Sequence, residues 1–359
     1  MKILHSLKDI TRNVDFVIAG EGEVPMVNLV EADNPYTGKV PGVYFLDEFD
    51  NMVGEANPGL KDLDDLPYPN QRIFDHGNLE KRNPFRSFLA SRGCPFGCFN
   101  CQPYLRNVFK FRLRTPENIV REMKYLQDTY GQDYFGMVDS EFPVNKKWFM
   151  DFVKLREESG IKFGFHCNAF SKLLDEEIIS TYRKMNITRL AIGVESGNQH
   201  VVNEVLNKRI DLGYTKQVFD MAAKHKVTTH SYFMIGIPGE SLENMQETLD
   251  YARNLNTTSL EFNILTPWPG TRFYELCEQK GWLEGQYTFE DYNEKRLGVI
   301  STDQWKHKQV SEFHKHVRET FVKDGWTMAS DGTVFFRPGE QMPDAETLAQ
   351  IKQQFHVEG

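Results

Sequence analysis

Residues 91–101 read SRGCPFGCFNC and decide how this chain is interpreted. Three of its five cysteines, Cys94, Cys98 and Cys101, lie in this stretch with the spacing Cys-x-x-x-Cys-x-x-Cys. Cysteine thiolates hold iron–sulfur clusters, and a short loop with this spacing can place three of them around one face of a cubane cluster. The fourth iron would then stay open to another ligand. We therefore predict a four-iron four-sulfur cluster at these three cysteines.

Zinc is the alternative, and it would need a fourth Cys or His at a matched spacing. His76 and His166 are available, but neither belongs to a second paired motif. Five is an odd number of cysteines, which is poor for a disulfide framework and suits a metal site in a reducing compartment. Cys167 and Cys277 have no partner at a suitable spacing, so we expect them to be buried thiols.

After Ser87 the sequence alternates short β-type runs with helical patterns. The predicted strands lie near 87–91, 134–138, 163–167, 189–194, 229–235 and 260–265. The predicted helices lie near 116–129, 145–158, 175–185, 199–224, 241–255 and 271–280. Six strand–helix units in series predict an α/β fold whose parallel strands are joined by right-handed crossovers. We expect a partial (β/α)6 barrel with its reactive groups at the carboxyl ends of the strands.

The segments on either side of the barrel have other patterns. Before it we expect a strand and helix joined by Gly20-Glu21-Gly22-Glu23, then a hairpin over 42–54 and a linker from Asn57 to Pro84. After it we expect a mainly helical extension, with a helix near 302–323, a hairpin at Asp331-Gly332 and a final helix near 343–355. The predicted division is therefore 1–84, 85–285 and 286–359.

Residues 85–285 resemble the radical S-adenosylmethionine superfamily, through the cysteine spacing, the aromatic Phe99 and the strand–helix series. The resemblance implies that Cys94, Cys98 and Cys101 ligate a [4Fe-4S] cluster and that S-adenosylmethionine binds beside it. It also implies reductive cleavage to methionine and a 5′-deoxyadenosyl radical, which abstracts hydrogen from a substrate. The protein's own part would be positioning and the exclusion of water and oxygen.

The second barrel strand is followed by MVDSEF at 137–142, where the family has an acidic motif that binds the cofactor's amino group. The usual paired glycines are absent from this motif. The resemblance makes Glu141 the first candidate for that role and Asp139 the second. The alternative is that one of the two caps the next helix, which begins near Asn145.

The fourth strand ends in AIGVESG at 191–197, which resembles the Gly-x-Glu-Ser-Gly segment of the family. The resemblance implies that Glu195 and Ser196 contact the ribose or the methionine part of the cofactor. A carboxylate at the end of an apolar strand is costly to bury without a partner, which favours a binding role. The alternative for Glu195 is a buried ion pair with a neighbouring arginine such as Arg189.

The third and fifth strand ends also resemble those of the family. His166 and Asn168 are candidates to face the pocket, and His166 has the alternative of a structural role. Ile237 lies in a turn rich in Gly and Pro, which lets the backbone approach the adenine closely. We therefore include all three residues among the candidate cofactor contacts.

The N-terminal segment DFVIAGEGE at 15–23, with the later LDDLPYP at 63–69, resembles the end of a cobalamin-binding domain and its link to the barrel in cobalamin-dependent radical enzymes. A Gly-x-Gly turn alone is a weak signal. The Asp-x-His-x-x-Gly segment of that domain has no counterpart, since Asp75-His76-Gly77 has neither its spacing nor its position. Cobalamin binding by this chain is therefore in doubt. The sequence is either a truncated form of a longer enzyme or a shortened lineage that keeps the remnant as a brace.

The predicted reaction is methylation of an unreactive carbon in a small-molecule or biosynthetic substrate. The alternatives are radical cyclisation or rearrangement without cobalamin, and a non-catalytic iron–sulfur scaffold. The net charge of −9 argues against nucleic-acid partners and against methylthiolation of transfer RNA. An external electron donor of the flavodoxin or ferredoxin type is expected. The sequence shows no secretory signal and no apolar run of membrane-spanning length, so we expect a cytoplasmic protein without a membrane partner.

Overall fold

The computed structural model of this chain describes residues 14–71, 86–101, 110–131, 134–284, 299–329 and 332–340. Within these ranges, no helix combines the length and the apolar character that a membrane crossing requires. Most of the buried hydrophobic side chains form one large cluster, whose members range along the chain from Phe88 to Phe335. A core of this extent supports the whole barrel, because each fully buried Leu- or Phe-sized side chain contributes roughly 1.5–3 kcal/mol.

A small antiparallel sheet precedes the barrel. Its strands are β1 (Val17–Ile18), β2 (Val43–Leu46) and β3 (Met52–Gly54), in the order β1-β2-β3. Helix α1 (Glu23–Glu31) follows β1 directly after the Gly20–Gly22 turn. The predicted strand, helix and hairpin are confirmed. The predicted linker is described from Asn57 to Gln71, whereas Asp75-His76-Gly77 lies outside the described residues.

Six parallel strands form the centre of the main sheet. They are β4 (Ser87–Phe88), β7 (Tyr134–Met137), β8 (Gly164–Ala169), β9 (Ile187–Glu195), β10 (Thr229–Ile235) and β11 (Ser259–Ile264). Each strand pairs in parallel with the next of this series, so all six carboxyl ends lie at one edge. A separate two-stranded antiparallel ladder is formed by β5 (Ser91–Arg92) and β6 (Arg112–Leu113). The predicted α/β class and partial barrel are confirmed.

The helices follow the barrel strands as predicted. They are α2 (Pro116–Tyr130), α3 (Lys146–Glu158), α4 (Glu176–Lys184), α5 (Leu212–Lys224), α6 (Leu242–Arg253) and α7 (Arg272–Lys280). Each begins after a residue whose side chain accepts a hydrogen bond from the backbone N–H three residues later; these residues are Thr115, Asn145, Asp175, Asp211, Ser241 and Thr271. Such a cap stabilises a helix by about 1 kcal/mol relative to alanine.

The prediction of one continuous helix over 199–224 is wrong. A π-helical turn, Val201–Val205, is separated from α5 by a loop in which Asn207 and Arg209 have φ angles of 52° and 57°. A left-handed residue ends a right-handed helix, and asparagine tolerates this conformation better than most residues. The chain over 206–211 is therefore a loop and not part of a helix.

The described part of the C-terminal extension contains helix α8 (His307–Lys323) and a hairpin of β12 (Thr327–Met328) and β13 (Val334–Phe336). The predicted helix and hairpin are confirmed, and the predicted helix near 343–355 lies outside the described residues. β13 pairs antiparallel with β11, from Ser259↔Phe336 to Glu261↔Val334. The hairpin therefore covers the edge that β11 would otherwise leave open.

Candidate active site

The cysteine stretch lies at the carboxyl edge of the barrel, and we call residues 93–101 the cluster loop. Cys94, Cys98 and Cys101 are half-buried in it. The Phe96 ring stacks on Phe170, which follows β8, with ring centroids 4.1 Å apart and an interplanar angle of 16°. This contact fixes the first half of the loop over the barrel core.

The loop after the π-helical turn holds the other half of the cluster loop. The backbone N–H of Phe99 donates to the carbonyl oxygen of Leu206 at 2.9 Å, and Asn207 Nδ2 donates to the carbonyl oxygen of Gly97 at 2.7 Å. The left-handed conformation of Asn207 brings its side chain to this position. The interruption of the predicted helix is thus explained by its contact with the cluster loop.

Asp139 connects the end of β7 to the residues that lead into the cluster loop. Its Oδ2 accepts from the backbone N–H of Ala90 at 2.7 Å, and its Oδ1 accepts from the Ser91 hydroxyl. Burial raises the pKa of Asp139 to about 6, although these hydrogen bonds favour the ionised form. The second candidate for the cofactor's amino group therefore already has donors within the protein.

Glu141, the first candidate, has an unused acceptor. Its Oε2 is buried and accepts no hydrogen bond from the residues that the structure describes. Burial raises its pKa to about 8, and the attraction of Lys208 offsets this only in part. A buried acceptor without a donor is costly, so the position suits a donor brought by a ligand. The alternative that Asp139 or Glu141 caps α3 is wrong, because Asn145 caps it.

Glu195 forms a buried ion pair with Lys208. The Nζ to Oε1 distance is 2.7 Å, and the two side chains are only 9% and 14% exposed for Lys208 and Glu195. The proposed alternative partner, Arg189, donates instead to the Tyr232 hydroxyl at 3.5 Å. Glu195 has a φ of 72°, which turns the end of β9 so that the pair lies over Gly193.

Gly193 leaves the space that this ion pair occupies. A Cβ at this position would lie 2.4 Å from Glu195 Oε1 and 2.8 Å from Lys208 Nζ. Both distances are below ordinary contact distances. A Cβ at position 193 would therefore force the ends of these two side chains to move.

Lys208 lies among three acidic groups. Burial alone would lower its pKa, but Glu195, Cys98 and Glu141 together raise it above its ordinary value. Burial raises the pKa of Cys98 as well, and Lys208 opposes that shift. Burial and the nearby Glu141 carboxylate raise the pKa of Cys94 to about 11. The raised pKa values favour the protonated thiols when no metal is bound. A bound metal would remove these protons, because it deprotonates its thiol ligands.

The other candidate residues lie in the interior. Asn168 Nδ2 donates to the carbonyl oxygen of Asp139 at 3.1 Å, and the buried Ser196 hydroxyl lies 3.0 Å from the Thr248 hydroxyl. The fully buried Ile237 donates its backbone N–H to Glu240 Oε1 at 2.8 Å. Asn168, Ser196 and Ile237 thus lie at or near strand ends, and these contacts are all within the protein. Their roles as cofactor contacts stay predictions.

His166 lies deeper in the barrel, as the third residue of β8. Its Nδ1 is hydrogen-bonded to the Tyr134 hydroxyl. Burial, together with the positive charge of Arg189, lowers the pKa of His166 to about 3. It is therefore a neutral ring at physiological pH, and its role as a cofactor contact stays a prediction. Cys167 and Cys277 are buried thiols, as predicted.

Three residues of this site were not among the candidates. Asn207 and Lys208 hold the cluster loop and Glu195, and Arg272 at the start of α7 lies over the Phe99 ring, 3.9 Å from its centroid. The Leu206-Asn207-Lys208 run was visible in the sequence. The asparagine in this run was a signal of a helix break, because asparagine adopts the left-handed conformation more readily than most residues. Nothing local in the sequence indicated the contact of Arg272.

In the described part of the chain, no group of three or more His, Cys, Asp or Glu side chains is arranged to hold a single metal ion. A cubane cluster does not require such convergence, because each thiolate binds a different iron atom. Three thiols on one loop, with two carboxylates close by, fit a cluster and a cationic ligand better than a mononuclear zinc site, which needs a fourth ligand.

Comparison with known proteins agrees with the resemblance found in the sequence. Residues 88–252 match the model of the Radical SAM superfamily. The chain is 29% identical over 280 residues to an anaerobic magnesium-protoporphyrin IX monomethyl ester cyclase of Cereibacter sphaeroides, an alignment that covers 74% of this chain and 45% of the relative. It is 24% identical over 321 residues to a cytidylyl-2-hydroxyethylphosphonate methyltransferase of Streptomyces wedmorensis, with coverage of 84% and 57%. The chain thus spans about half the length of these curated relatives.

A solved structure shows the same fold. It is the radical S-adenosylmethionine methyltransferase TsrM of Kitasatospora setae with cobalamin and a [4Fe-4S] cluster bound, and it aligns with a TM-score of 0.62 at 16% identity, over 96% of this chain and 69% of that one. At this identity the likeness concerns the fold alone. Together with the cysteine loop and the partial barrel, the match to the family model identifies residues 88–252 as a domain of the Radical SAM superfamily.

Proposed function

We propose that this protein binds a [4Fe-4S] cluster at Cys94, Cys98 and Cys101 and uses S-adenosylmethionine for radical chemistry. One observation carries the proposal: three half-buried thiols lie on one loop at the carboxyl edge of a partial barrel, close to the buried, unused acceptor of Glu141. A non-catalytic scaffold would need the thiols but would gain nothing from that acceptor.

The charges around the loop suit this ligand. Glu195 is paired with the ammonium of Lys208, whereas the buried Glu141 carboxyl has a raised pKa and an unused acceptor. S-adenosylmethionine carries a sulfonium and an amino group, and a positive charge within about 4–6 Å of a carboxyl favours its ionised form, so this ligand would stabilise the ionised form of Glu141. We assign the amino group to Glu141 and not to Asp139, whose oxygens already accept hydrogen bonds.

The remaining assignments follow the position of each residue in the barrel. Glu195 and Ser196 would face the ribose or the methionine part, and Ile237 the adenine. Phe99, held by Arg272 and by its own backbone hydrogen bond, would form the wall of the pocket beside the cluster. Asn168 would act mainly through Asp139, because its side chain donates to the Asp139 carbonyl.

When bound, the cluster and S-adenosylmethionine supply reductive cleavage to methionine and a 5′-deoxyadenosyl radical. The chain's own residues bind, orient and shield. Lys208 holds Glu195 in place, Asn207 holds the cluster loop, and the stacked Phe96 and Phe170 rings keep water from its underside.

The proposed reaction is methylation of an unreactive carbon in a small biosynthetic substrate. It is supported by a relative that is named as a methyltransferase. Radical cyclisation is the second candidate, because another relative is named as a cyclase and matches at higher identity. The described part of the N-terminal unit has three short antiparallel strands, one α-helix and one 3-10 helix, and supports the expectation that cobalamin binding by this chain is doubtful.

We also propose the division 1–84, 85–285 and 286–359, a cytoplasmic location and an electron donor of the flavodoxin or ferredoxin type. Radical S-adenosylmethionine enzymes need a reductant and act on small molecules, which supports the last of these. The net charge of −9 supports the expectation that nucleic acid is not a partner.

The cofactor assignment is tested by anaerobic reconstitution with iron and sulfide. We expect about four irons per chain in the wild type, and a change in the electron paramagnetic resonance spectrum of the reduced protein when S-adenosylmethionine is added. Cys98→Ala should lose the cluster, whereas Cys277→Ala, a buried thiol outside the site, should keep it. Equal iron content in both variants would contradict the assignment.

The reaction type is tested by S-adenosylmethionine with an isotope-labelled methyl group. Transfer of label to the product would support methylation. Turnover of magnesium-protoporphyrin IX monomethyl ester without transfer of label would support cyclisation instead.

A further inference from the structure

The Gly20-Glu21-Gly22-Glu23 turn makes a contact that the proposed function leaves unexplained. The Glu21 carboxylate accepts from Arg112 Nη2 at 2.7 Å and Nη1 at 3.0 Å, and from Arg92 Nη1 at 3.2 Å. It also accepts from the backbone N–H of Leu60 at 3.1 Å. The Glu21 side chain is only 9% exposed. One carboxylate thus receives four hydrogen bonds from three separate segments of the chain.

The charge of Glu21 is stabilised at this position. Burial would raise its pKa, but the hydrogen bonds from Arg112, Leu60 and Arg92 outweigh burial and lower it. Bidentate contacts between arginine and carboxylate are among the strong hydrogen bonds in proteins. Glu21 is therefore ionised and fixed.

The two arginines that contact Glu21 lie on the two strands that flank the cysteine stretch. Arg92 and Arg112 are directly opposite each other in the β5–β6 ladder, whose other pair is Ser91↔Leu113. We call this ladder the neck, because the chain between its two strands contains all three cysteines of the site. Like charges directly opposite in an antiparallel pair destabilise it. The carboxylate of Glu21 contacts both guanidinium groups and reduces this repulsion, and Glu23 of the same turn brings a second carboxylate to Arg92.

We propose that Glu21 is a positioning residue for the cluster: it clamps the neck shut and so holds the cysteines at the spacing that the cluster needs. This rests on the proposed function, in which those cysteines are the ligands. Because Glu21 belongs to the N-terminal unit, residues 14–60 are part of the cluster-binding apparatus. Displacing this unit would remove the contacts of Glu21 with Arg92 and Arg112 that hold the neck closed.

The test uses the full chain, reconstituted anaerobically, and follows the release of iron to a chelator. Glu21→Gln should release iron about tenfold faster than the wild type, as expected on loss of a largely buried, charge-assisted contact. Glu31→Gln, an exposed glutamate at the end of α1 in the same unit, should release iron at the wild-type rate. The reduced cluster of Glu21→Gln should also have an altered electron paramagnetic resonance spectrum, which a mere loss of global stability would not produce.

A double variant separates the clamp from a general effect of the substitution. Adding Arg112→Gln to Glu21→Gln removes one of the two facing charges, so iron release should become slower than in Glu21→Gln alone. If Glu21→Gln fails to fold, Glu21→Asp, which keeps the charge but shortens the reach, is measured instead and should still release iron faster than the wild type.

Wild-type release rates and spectra in the Glu21 variant would overturn the clamp, and so would a double variant that loses iron faster than Glu21→Gln. These results differ from a failure of the proposed function. In that case the wild type itself would hold no cluster after reconstitution.

Discussion

The ion pair between Lys208 and Glu195 allows a quantitative prediction for Lys208→Met. Methionine matches the length of the lysine stem but leaves the Glu195 carboxylate without its counter-ion. Removing one partner of a buried ion pair costs about 3–5 kcal/mol. The side chains keep 9% and 14% exposure, so we expect the lower end, about 3 kcal/mol, in the free energy of unfolding.

The control is Lys224→Met. Lys224 is paired with Glu176 at 2.5 Å, but the side chains are 68% and 52% exposed. Exposed pairs of this kind contribute about 0–1 kcal/mol, so the control should unfold almost like the wild type.

The free energies of unfolding of both variants and the wild type, without cofactors, are measured by urea denaturation. Circular dichroism monitors the unfolding. Affinity for S-adenosylmethionine is then measured on reconstituted protein, where Lys208→Met should bind more weakly because Glu195 is displaced. A Lys208→Met variant that loses no more stability than Lys224→Met would refute the assignment of this pair as a buried structural contact of the site.

Three further predictions each concern one residue in or next to the site. Gly193→Ala should weaken S-adenosylmethionine binding, measured by equilibrium dialysis, because the added Cβ would lie 2.4 Å from Glu195 Oε1 and displace it from Lys208; unchanged affinity would contradict this. Glu141→Gln should lower the same affinity about tenfold or more without loss of cluster iron, since a carboxylate forms stronger hydrogen bonds to an amino group than an amide does; an equal affinity would favour another residue. Glu240 has a pKa raised by burial to about 8, so its native state keeps a proton that the unfolded state loses above its ordinary pKa of 4.5, and stability falls as pH rises through this window. Glu240→Gln should therefore be more stable than the wild type by an amount that grows to a few kcal/mol between pH 5 and pH 8 in denaturation experiments, and a constant difference would count against the buried, neutral carboxyl.

The fold was largely predictable because its elements are periodic and locally marked. Each barrel helix begins after a residue that caps it, and most of these caps are visible as Ser, Thr, Asn or Asp before an apolar pattern, for example Asn145 and Asp175. The break after Val205 was missed because the helical pattern continues through it. What ends the helix is the hydrogen bond of Asn207 to Gly97, a residue 110 positions away.

The site was predictable to the extent that its chemistry is local in sequence. Cysteine spacing identifies the ligands of a cluster, and a strand end identifies Glu141 and Glu195. The partner of Glu195 was misjudged, because the sequence offers Arg189 on the same strand, whereas the loop brings Lys208 back over Gly193.

Contacts between distant segments carry no local signal. The turn around Glu21 resembled a remnant of a cobalamin-binding domain, and its contacts with Arg92 and Arg112, 71 and 91 positions away, emerge only from the three-dimensional arrangement. The same holds for Arg272 and the Phe99 ring. Sequence reasoning therefore selected the candidate ligands, whose roles stay predictions, and missed most of the residues that hold them.

The most direct test of radical chemistry is the formation of 5′-deoxyadenosine. The reconstituted protein is reduced under anaerobic conditions, S-adenosylmethionine is added, and the products are separated by chromatography. We predict 5′-deoxyadenosine from the wild type and none from Cys98→Ala. A wild-type protein with an intact cluster and bound S-adenosylmethionine that forms no 5′-deoxyadenosine would contradict the proposed function.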